Sequence, residues 1–172
     1  MDAHGDDRSE PSSPRTRAVW RSLSAGPVED VVATVRELAK DTRLVLHIGT
    51  DSQEGARHTD YVTVIAALIP GHGGRVFFRR RTTPRTKSLA QRLFREAELS
   101  IEIAHELRGA IGCDVTVHVD ANEDERHRSS NYVQALAGMV VGNGFRVHLK
   151  PDSWCATHVA DRLVKVRRPS AA

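Results

Sequence analysis

Leu44-Val45-Leu46-His47-Ile48-Gly49-Thr50-Asp51 is an apolar strand that runs into an aspartate, and Val115-Thr116-Val117-His118-Val119-Asp120 repeats the form further along the chain. A strand of this kind fixes the backbone and leaves the acid at its open end, within reach of solvent and substrate. If the two strands are neighbours, the two acids meet, and hard cations such as Mg²⁺ take several oxygen ligands in a rigid arrangement. A single aspartate after a strand more often only starts a turn, through its own hydrogen bonding. Two strands of one form, with an acidic helix between them, favour a shared site.

Working outward from the first strand, 43–51, the polar Gln53–Thr59 stretch is a turn and Tyr61–Ile69 alternates as a second strand. Pro70-Gly71-His72-Gly73-Gly74 is a glycine-rich turn into a third strand, Arg75–Thr82. Connections this short imply antiparallel hairpins. A long helix follows over 86–111, with Leu89, Leu93, Ala97, Ile101 and Ala104 at helical spacing and Gly112 as its stop. The fourth strand is 113–120, and 121–128 is a polar loop. Ser129 or Ser130 is placed to cap a helix that runs to Val141 and ends at Gly142-Asn143-Gly144 in a left-handed cap. Phe145–Leu149 is the fifth strand, and Ser153 caps a last helix over 154–166.

On the N-terminal side, Pro27-Val28-Glu29-Asp30 opens a helix that ends near Lys40, with proline near its first position and acids in its first turn. Residues 1–18 are rich in Ser, Pro, Asp and Arg and have little to bury, so they are expected to be disordered. Trp20 is the first side chain able to anchor. A single domain is expected over 19–166, with a short basic tail at 167–172. Three antiparallel strands followed by two crossover units give a mixed five-stranded α/β sheet with helices on both faces. Right-handed crossovers set the fourth strand parallel to and beside the first, which brings Asp51 and Asp120 together. This is also the topology of the ribonuclease H-like superfamily.

The net charge of +3 permits nucleic-acid binding without demanding it. Its distribution is more informative. From Gly71 to Arg95 there are eight Arg or Lys residues and no acid, the footprint of a phosphate-binding surface if it is not simply a solvated face. Cys113 and Cys155 are the two cysteines and have no paired metal-ligand spacing, so reduced thiols are expected. The N-terminus carries no apolar run resembling a signal peptide, and no stretch approaches the roughly 20 apolar residues of a membrane span. These features describe a soluble cytoplasmic protein with no membrane partner.

Ile48-Gly49-Thr50-Asp51-Ser52-Gln53, then Arg92-Leu93-x-x-Glu96 with Ser100-Ile101-Glu102-x-Ala104, then His118-Val119-Asp120-Ala121-Asn122, then Lys150-Pro151-Asp152-Ser153-Trp154-x-Ala156 with Ala160-Asp161 together resemble a bacterial family of uncharacterised proteins with a predicted ribonuclease H-like fold. The resemblance covers about 43–165. It implies a metal-dependent nuclease that hydrolyses phosphodiester bonds of DNA or RNA with Mg²⁺ or Mn²⁺, by a two-metal-ion mechanism. The catalytic and metal-holding acids it implies are Asp51, Glu96, Asp120 and Asp161.

Glu96 is preferred to Glu98 because it shares the inward helix face with Leu93 and Ser100, whereas Glu98 falls with Glu102 and His105 on a solvated side. An ion pair of Glu96 with Arg92 or Arg95 is the plainer alternative. Asp161 competes with a surface pair to Lys165, and His158 is an alternative in its place. Lys150 ends the fifth strand beside the site and suits a phosphate as a point charge. Ser52 and Gln53 follow the first acid and can hydrogen-bond substrate, while Arg79 and Arg81 belong to the basic stretch expected to grip the backbone. His47 and His118 lie an even number of residues before Asp51 and Asp120, and His148 lies two before Lys150, so a three-histidine zinc site is conceivable. Packed histidines are the better expectation. Cys155-x-x-His158 as a nucleophile and base finds no support in other residues. The rival to a nuclease is a non-catalytic nucleic-acid-binding or protein-interaction module on the same fold, and fold alone does not choose.

Overall fold

A computed structural model of the chain describes residues 19–40, 43–124 and 126–165. The tails expected at 1–18 and 167–172 lie outside the described residues. The elements are β1 (Trp20–Ser22), β2 (Gly26–Val28), α1 (Val31–Leu38), β3 (Val45–Glu54), β4 (His58–Ile69), β5 (Gly73–Pro84), α2 (Leu89–Ile111), β6 (Val115–His118), a 3₁₀ turn (Ser130–Tyr132), α3 (Val133–Gly142), β7 (Arg146–His148), a π-helical segment (Cys155–Ala160) and α4 (Asp161–Lys165). One mixed sheet takes the strands in the order β2-β1-β5-β4-β3-β6-β7.

The sheet therefore has seven strands where five were expected. The two extra strands are the N-terminal hairpin. Gly26 adopts a left-handed φ of +84°, and Pro27 pairs with Arg21 instead of opening a helix. Pro27 lies on the outer edge strand, where a missing N–H breaks no ladder. Helix α1 begins only after Asp30, whose carboxylate accepts the Ala33 N–H at 2.9 Å. What holds so short a hairpin is Trp20. It is buried against the sheet with the Arg79 guanidinium 4.6 Å from its ring centre.

β3 is the central strand. It pairs antiparallel with β4 along its whole length, from Val45↔Leu68 to Glu54↔Thr59. On its other side it pairs in parallel with β6, from Leu46↔Val115 only as far as Gly49↔His118. The expected end at Asp51 is thus corrected: β3 runs on to Glu54, because β4 supplies backbone partners to that point. The alternation sorts its side chains by layer. Leu46 and Ile48 join the core under α1, α2 and α3, and the Thr50 hydroxyl meets Ser100 of α2 at 2.8 Å. His47, Gly49 and Asp51 lie on the opposite face, under the π-helical segment and α4, where Val62, Val64, Cys155, Ala160 and Val164 pack.

Gly49 lets that second layer in. A Cβ placed there would stand 2.6 Å from the backbone nitrogen of Ala156. The absent side chain lets the π-helical backbone sit directly on β3. Helix α2 starts later than expected, at Leu89, because Ser88 caps it. It stops at Gly112, whose φ is +71°. Ser129 does not cap the following helix. Its hydroxyl accepts the Asn122 N–H at 3.1 Å and so braces the loop that leaves β6.

Gly49→Ala is expected to lower the unfolding free energy by about 1–3 kcal/mol, since backbone must move to admit the methyl group. Gly109→Ala, on α2 with open space around its Cα, is expected to gain roughly 0.5–1 kcal/mol. Urea denaturation of the two variants measures both.

Candidate active site

β6 stops at His118 while β3 continues to Glu54. Beyond Gly49, β3 has no paired strand on that side among the described residues, and a notch opens at the carboxyl ends of the parallel strands. Open α/β sheets place ligands at such ends. Because the sheet ends there, side chains from its two faces meet around one edge. Asp51 comes from the π-helical face, Ser52 and Glu96 from the α2 face, and Asp120 from the chain as it leaves β6. With Leu89, Arg92, Leu93, His127, Arg128 and Ser129 they line a pocket of about 250 Å³.

The acids are held in unequal states. Glu96 is buried on α2, and its Oε1 accepts the Ser52 hydroxyl at 2.5 Å. Burial first, and then the Asp51 charge, push its carboxyl up to about 8. Asp51 is pushed up to about 7, by burial first and then by Asp120, with a smaller contribution from Asp161. Asp120 is half-buried and ion-paired: Oδ1 lies 2.6 Å from the Lys150 ammonium and accepts the Thr157 hydroxyl at 3.2 Å. Asp161 is taken by Lys165 one helical turn on, at 2.6 Å. The alternatives considered for Glu96 are filled elsewhere. Arg92 bonds Glu54 at 2.7 Å and Arg95 bonds the exposed Glu98 at 2.9 Å.

Of the residues expected to touch substrate, Ser52 and Lys150 stand at the notch, bonded to Glu96 and Asp120, and Gln53 is exposed one step further along β3. Arg79 and Arg81 are placed differently. Both lie on the face of β5 that meets α2. Arg81 forks onto Glu102 at 2.8 and 3.2 Å, and Arg79 is wedged between Trp20 and Glu102, at 3.8 Å from the latter. Neither lines the pocket. Sequence reading missed His127, Arg128 and Ser129. Their signal was available, since a polar loop that directly follows a strand ending in a site acid must hang over that acid. Arg92 had a signal too, four residues before Glu96 on one helix face.

The three histidines do come together. His47 Nδ1 and His118 Nε2 are 2.9 Å apart, the His148 ring centre is 5.0 Å from that of His118, and Trp154 lies 5.1 Å from His47. Burial first, then the neighbouring rings, lower His118 to about 3 and lower His47 as well. Both are packing groups beneath the π-helical segment. Cys155 is buried, its thiol is pushed up to about 12 by that burial, and its S–H faces the His47 carbonyl, while His158 is exposed. They form no nucleophile and base pair.

Among the described residues no three His, Cys, Asp or Glu side chains form a ready-made cation-binding group. The donor chemistry nevertheless fits a hard divalent ion. Asp51, Glu96 and Asp120 offer carboxylate oxygen only, which suits Mg²⁺ or Mn²⁺. Two of them, Asp51 and Glu96, are disfavoured as anions by burial and by neighbouring carboxylates. A proton or a cation must relieve the repulsion.

The ribonuclease H-like family model matches residues 28–165. The chain is 28% identical over 155 residues to the uncharacterized protein YkuK of Bacillus subtilis (strain 168), a match that spans 80% of this chain and 90% of YkuK. Among solved structures it aligns with the crystal structure of the prototype foamy virus protease-reverse transcriptase at a TM-score of 0.39 and 11% identity. That alignment takes in 76% of this chain and 22% of the viral chain, so this chain spans about a fifth of its length. No helix among the described residues is long and apolar enough to cross a membrane.

The raised carboxyls fix the sign of a pH effect. Asp51 and Glu96 bind protons more tightly folded than unfolded, so their contribution to stability is full below about pH 4 and is lost as pH rises through 7 and 8. In metal-free buffer, thermal stability is expected to decline across that window. Asp51→Asn is expected to be nearly neutral near pH 5 and stabilising by ~1–2 kcal/mol near pH 8.5. Melting curves with EDTA check it.

Proposed function

Because the chain belongs to the ribonuclease H-like family, we propose that it is a divalent-metal-dependent nuclease that hydrolyses phosphodiester bonds of DNA or RNA in the notch beside Asp51. The observation that carries this reading is that Asp51, Glu96 and Asp120 line one pocket at the open end of the parallel strands. Burial and neighbouring carboxylates disfavour the charge on Asp51 and Glu96, which a bound cation would relieve. Asp51, Glu96 and Asp120 would hold that ion, as Mg²⁺ or Mn²⁺, and bound there it would supply Lewis-acid charge to a phosphodiester.

The chain's own residues do the rest. The Ser52 hydroxyl fixes the Glu96 carboxylate through a 2.5 Å bond and so sets which oxygen faces the notch. Arg128 lines the notch and Lys150 stands beside it, paired to Asp120, and both would bind the nucleic-acid backbone. Arg128 is exposed on the loop after β6, where it can follow a strand without disturbing the sheet. Such contacts read charge more than sequence. Asp161 extends the acidic group from α4 on the opposite side, with Lys165 as its present partner. Arg79 and Arg81 serve this reading indirectly, by tying β5 to α2 through Glu102 and keeping Glu96 in register with Ser52.

The full chain, supplied with Mn²⁺, is expected to cleave at least one of single-stranded DNA, single-stranded RNA and an RNA–DNA hybrid. Asp51→Asn, Glu96→Gln and Asp120→Asn should each reduce the rate at least about a hundredfold, more than loss of an outer-shell contact usually costs. Binding to the uncleaved strand should weaken steadily as salt rises. Absence of Mn²⁺-dependent cleavage above the level of the doubly substituted Asp51→Asn, Asp120→Asn chain would sink the proposal.

A further inference from the structure

The cations of the basic stretch are not compensated evenly. At the far end of β3, beyond the notch, two guanidiniums share one acid. Arg85 Nε donates to Glu54 Oε1 at 2.6 Å, and the Arg92 guanidinium donates to Glu54 Oε2 at 2.7 Å. The Arg85 hydrogen bond first, and then the charges of Arg85, Arg92 and Lys87, hold the Glu54 carboxyl below the usual carboxylate range. Three cations thus surround a single carboxylate. Glu54 and Arg92 are half-buried, whereas Arg85 and Lys87 are exposed.

The backbone fixes where these charges stand. The Arg85 N–H bonds the Arg57 carbonyl at 3.2 Å, and the Thr86 N–H bonds the Thr59 hydroxyl at 2.9 Å. The link from β5 to α2 is therefore tied to β4 before Ser88 caps the helix. The Arg92 N–H bonds the Ser88 carbonyl at 3.1 Å, which places Arg92 in the helix's opening turns. Arg92 is both a wall of the notch and a partner of Glu54. Glu54 itself follows Ser52 on the same face of β3. The cluster is thus continuous with the notch. The run from Gly71 to Arg95 contains no acid, so neither the link nor the first turn of α2 cancels its charge. On the loop after β6, Arg128 lines the same notch from a different element.

We propose that Arg85 and Lys87, gathered with Arg92 around Glu54, form a phosphate-binding rim over which a nucleic-acid strand runs as it passes the notch. This rests on the reading of the notch as a nucleic-acid site and specifies where the strand lies beyond it. Glu54 acts as the organiser. It holds two guanidiniums at fixed places, one on each oxygen, and answers only one of the three positive charges. A guanidinium has five N–H donors and an ammonium three, so donors remain for phosphate oxygens after Glu54 is served. A strand carries its charges at regular intervals, and Arg128, Arg85 and Lys87 offer separate points of contact along one. Contacts of this kind set the position of the strand and leave its sequence unread.

Fluorescence anisotropy of the full chain with labelled single-stranded DNA and the matching RNA, in EDTA and over a range of salt, tests it. The doubly substituted Arg85→Ala, Lys87→Ala chain is expected to bind roughly tenfold more weakly at low salt, and its log–log salt slope should be shallower by about 1.4, the share of two phosphate contacts on a single strand. Lys87→Ala alone removes an exposed side chain and should lower the slope by about 0.7, so the test survives if the double variant fails to fold. Arg85→Lys with Lys87→Arg keeps both charges and should keep the slope. The control is Lys40→Ala with Arg75→Ala. Lys40 precedes β3, and Arg75 pairs with Ala67 at the opposite end of the sheet from the notch. This control should match the wild type. A rim variant with unchanged affinity and slope, or a control that loses as much as the rim variant, overturns the proposal and leaves the nuclease reading standing. Binding that depends on Arg85 and Lys87 in a chain that shows no Mn²⁺-dependent cleavage supports the rim while the nuclease reading falls. A wild type that binds neither strand overturns both.

Discussion

The structure depends on an inequality in how β3 is held. On one side β4 pairs with all ten of its residues, and on the other β6 pairs with Leu46 to Gly49 only. The first condition makes β3 rigid through Asp51 and Ser52. The second leaves those two residues without a paired strand on that side among the described residues. A fixed backbone with a free flank is what a site of charged side chains requires, because their positions are set while solvent and ligand can still reach them. Side chains from opposite faces of a sheet do not ordinarily meet. At this edge they do, which is why the charge of Asp51 on one face raises Glu96 from the helix on the other.

That arrangement has an energetic consequence. Two carboxyls raised to about 7 and 8 are groups that folding places in surroundings worse for their charge than water. The rest of the fold carries that cost. Below the sheet edge the core is continuous and apolar, from Leu46 and Ile48 through Ile103, Ala104 and Leu107. On the other face the absence of a side chain at Gly49 brings the π-helical backbone into contact with β3, which seats Thr157 next to Asp120. Strain of this kind concentrated in one notch, within a sheet otherwise well paired, is where local rules are expected to give way to function.

Much of the fold was legible because β3, β4, β5 and α2 announce themselves locally. Their alternation, the glycine turn at 70–74 and the stripe from Leu89 to Ala104 need no long-range information. Asp51 and Asp120 followed from the same reading, since right-handed crossovers leave one place for β6. Glu96 was separable from Glu98 by helix phase. The N-terminal hairpin was not legible, because three-residue strands carry almost no periodicity and Pro27 before two acids reads equally well as a helix start. Its reason for existing is tertiary: Trp20 against Arg79. The true ends of β3 and β6 were also hidden, since a strand continues for as long as a neighbour supplies partners, and that neighbour's length is not written in the strand itself.

The basic stretch from Arg75 to Arg95 shows how linear charge density misleads about a surface. Along the sequence it holds no acid, yet in space Arg79 and Arg81 meet Glu102, Arg80 meets Asp60, Arg85 and Arg92 meet Glu54, and Arg95 meets Glu98. Neighbouring strands and the helix itself bring the partners in from outside the window. Positive charge at the notch comes instead from residues spread along the chain: Arg128 from the loop after β6, Lys150 after β7, and Lys165 at the end of α4. The topology that collects the acids at the carboxyl ends of β3 and β6 collects these cations by the same rule, so the charge balance of the notch is a property of the fold's connections and could not have been read from any one segment.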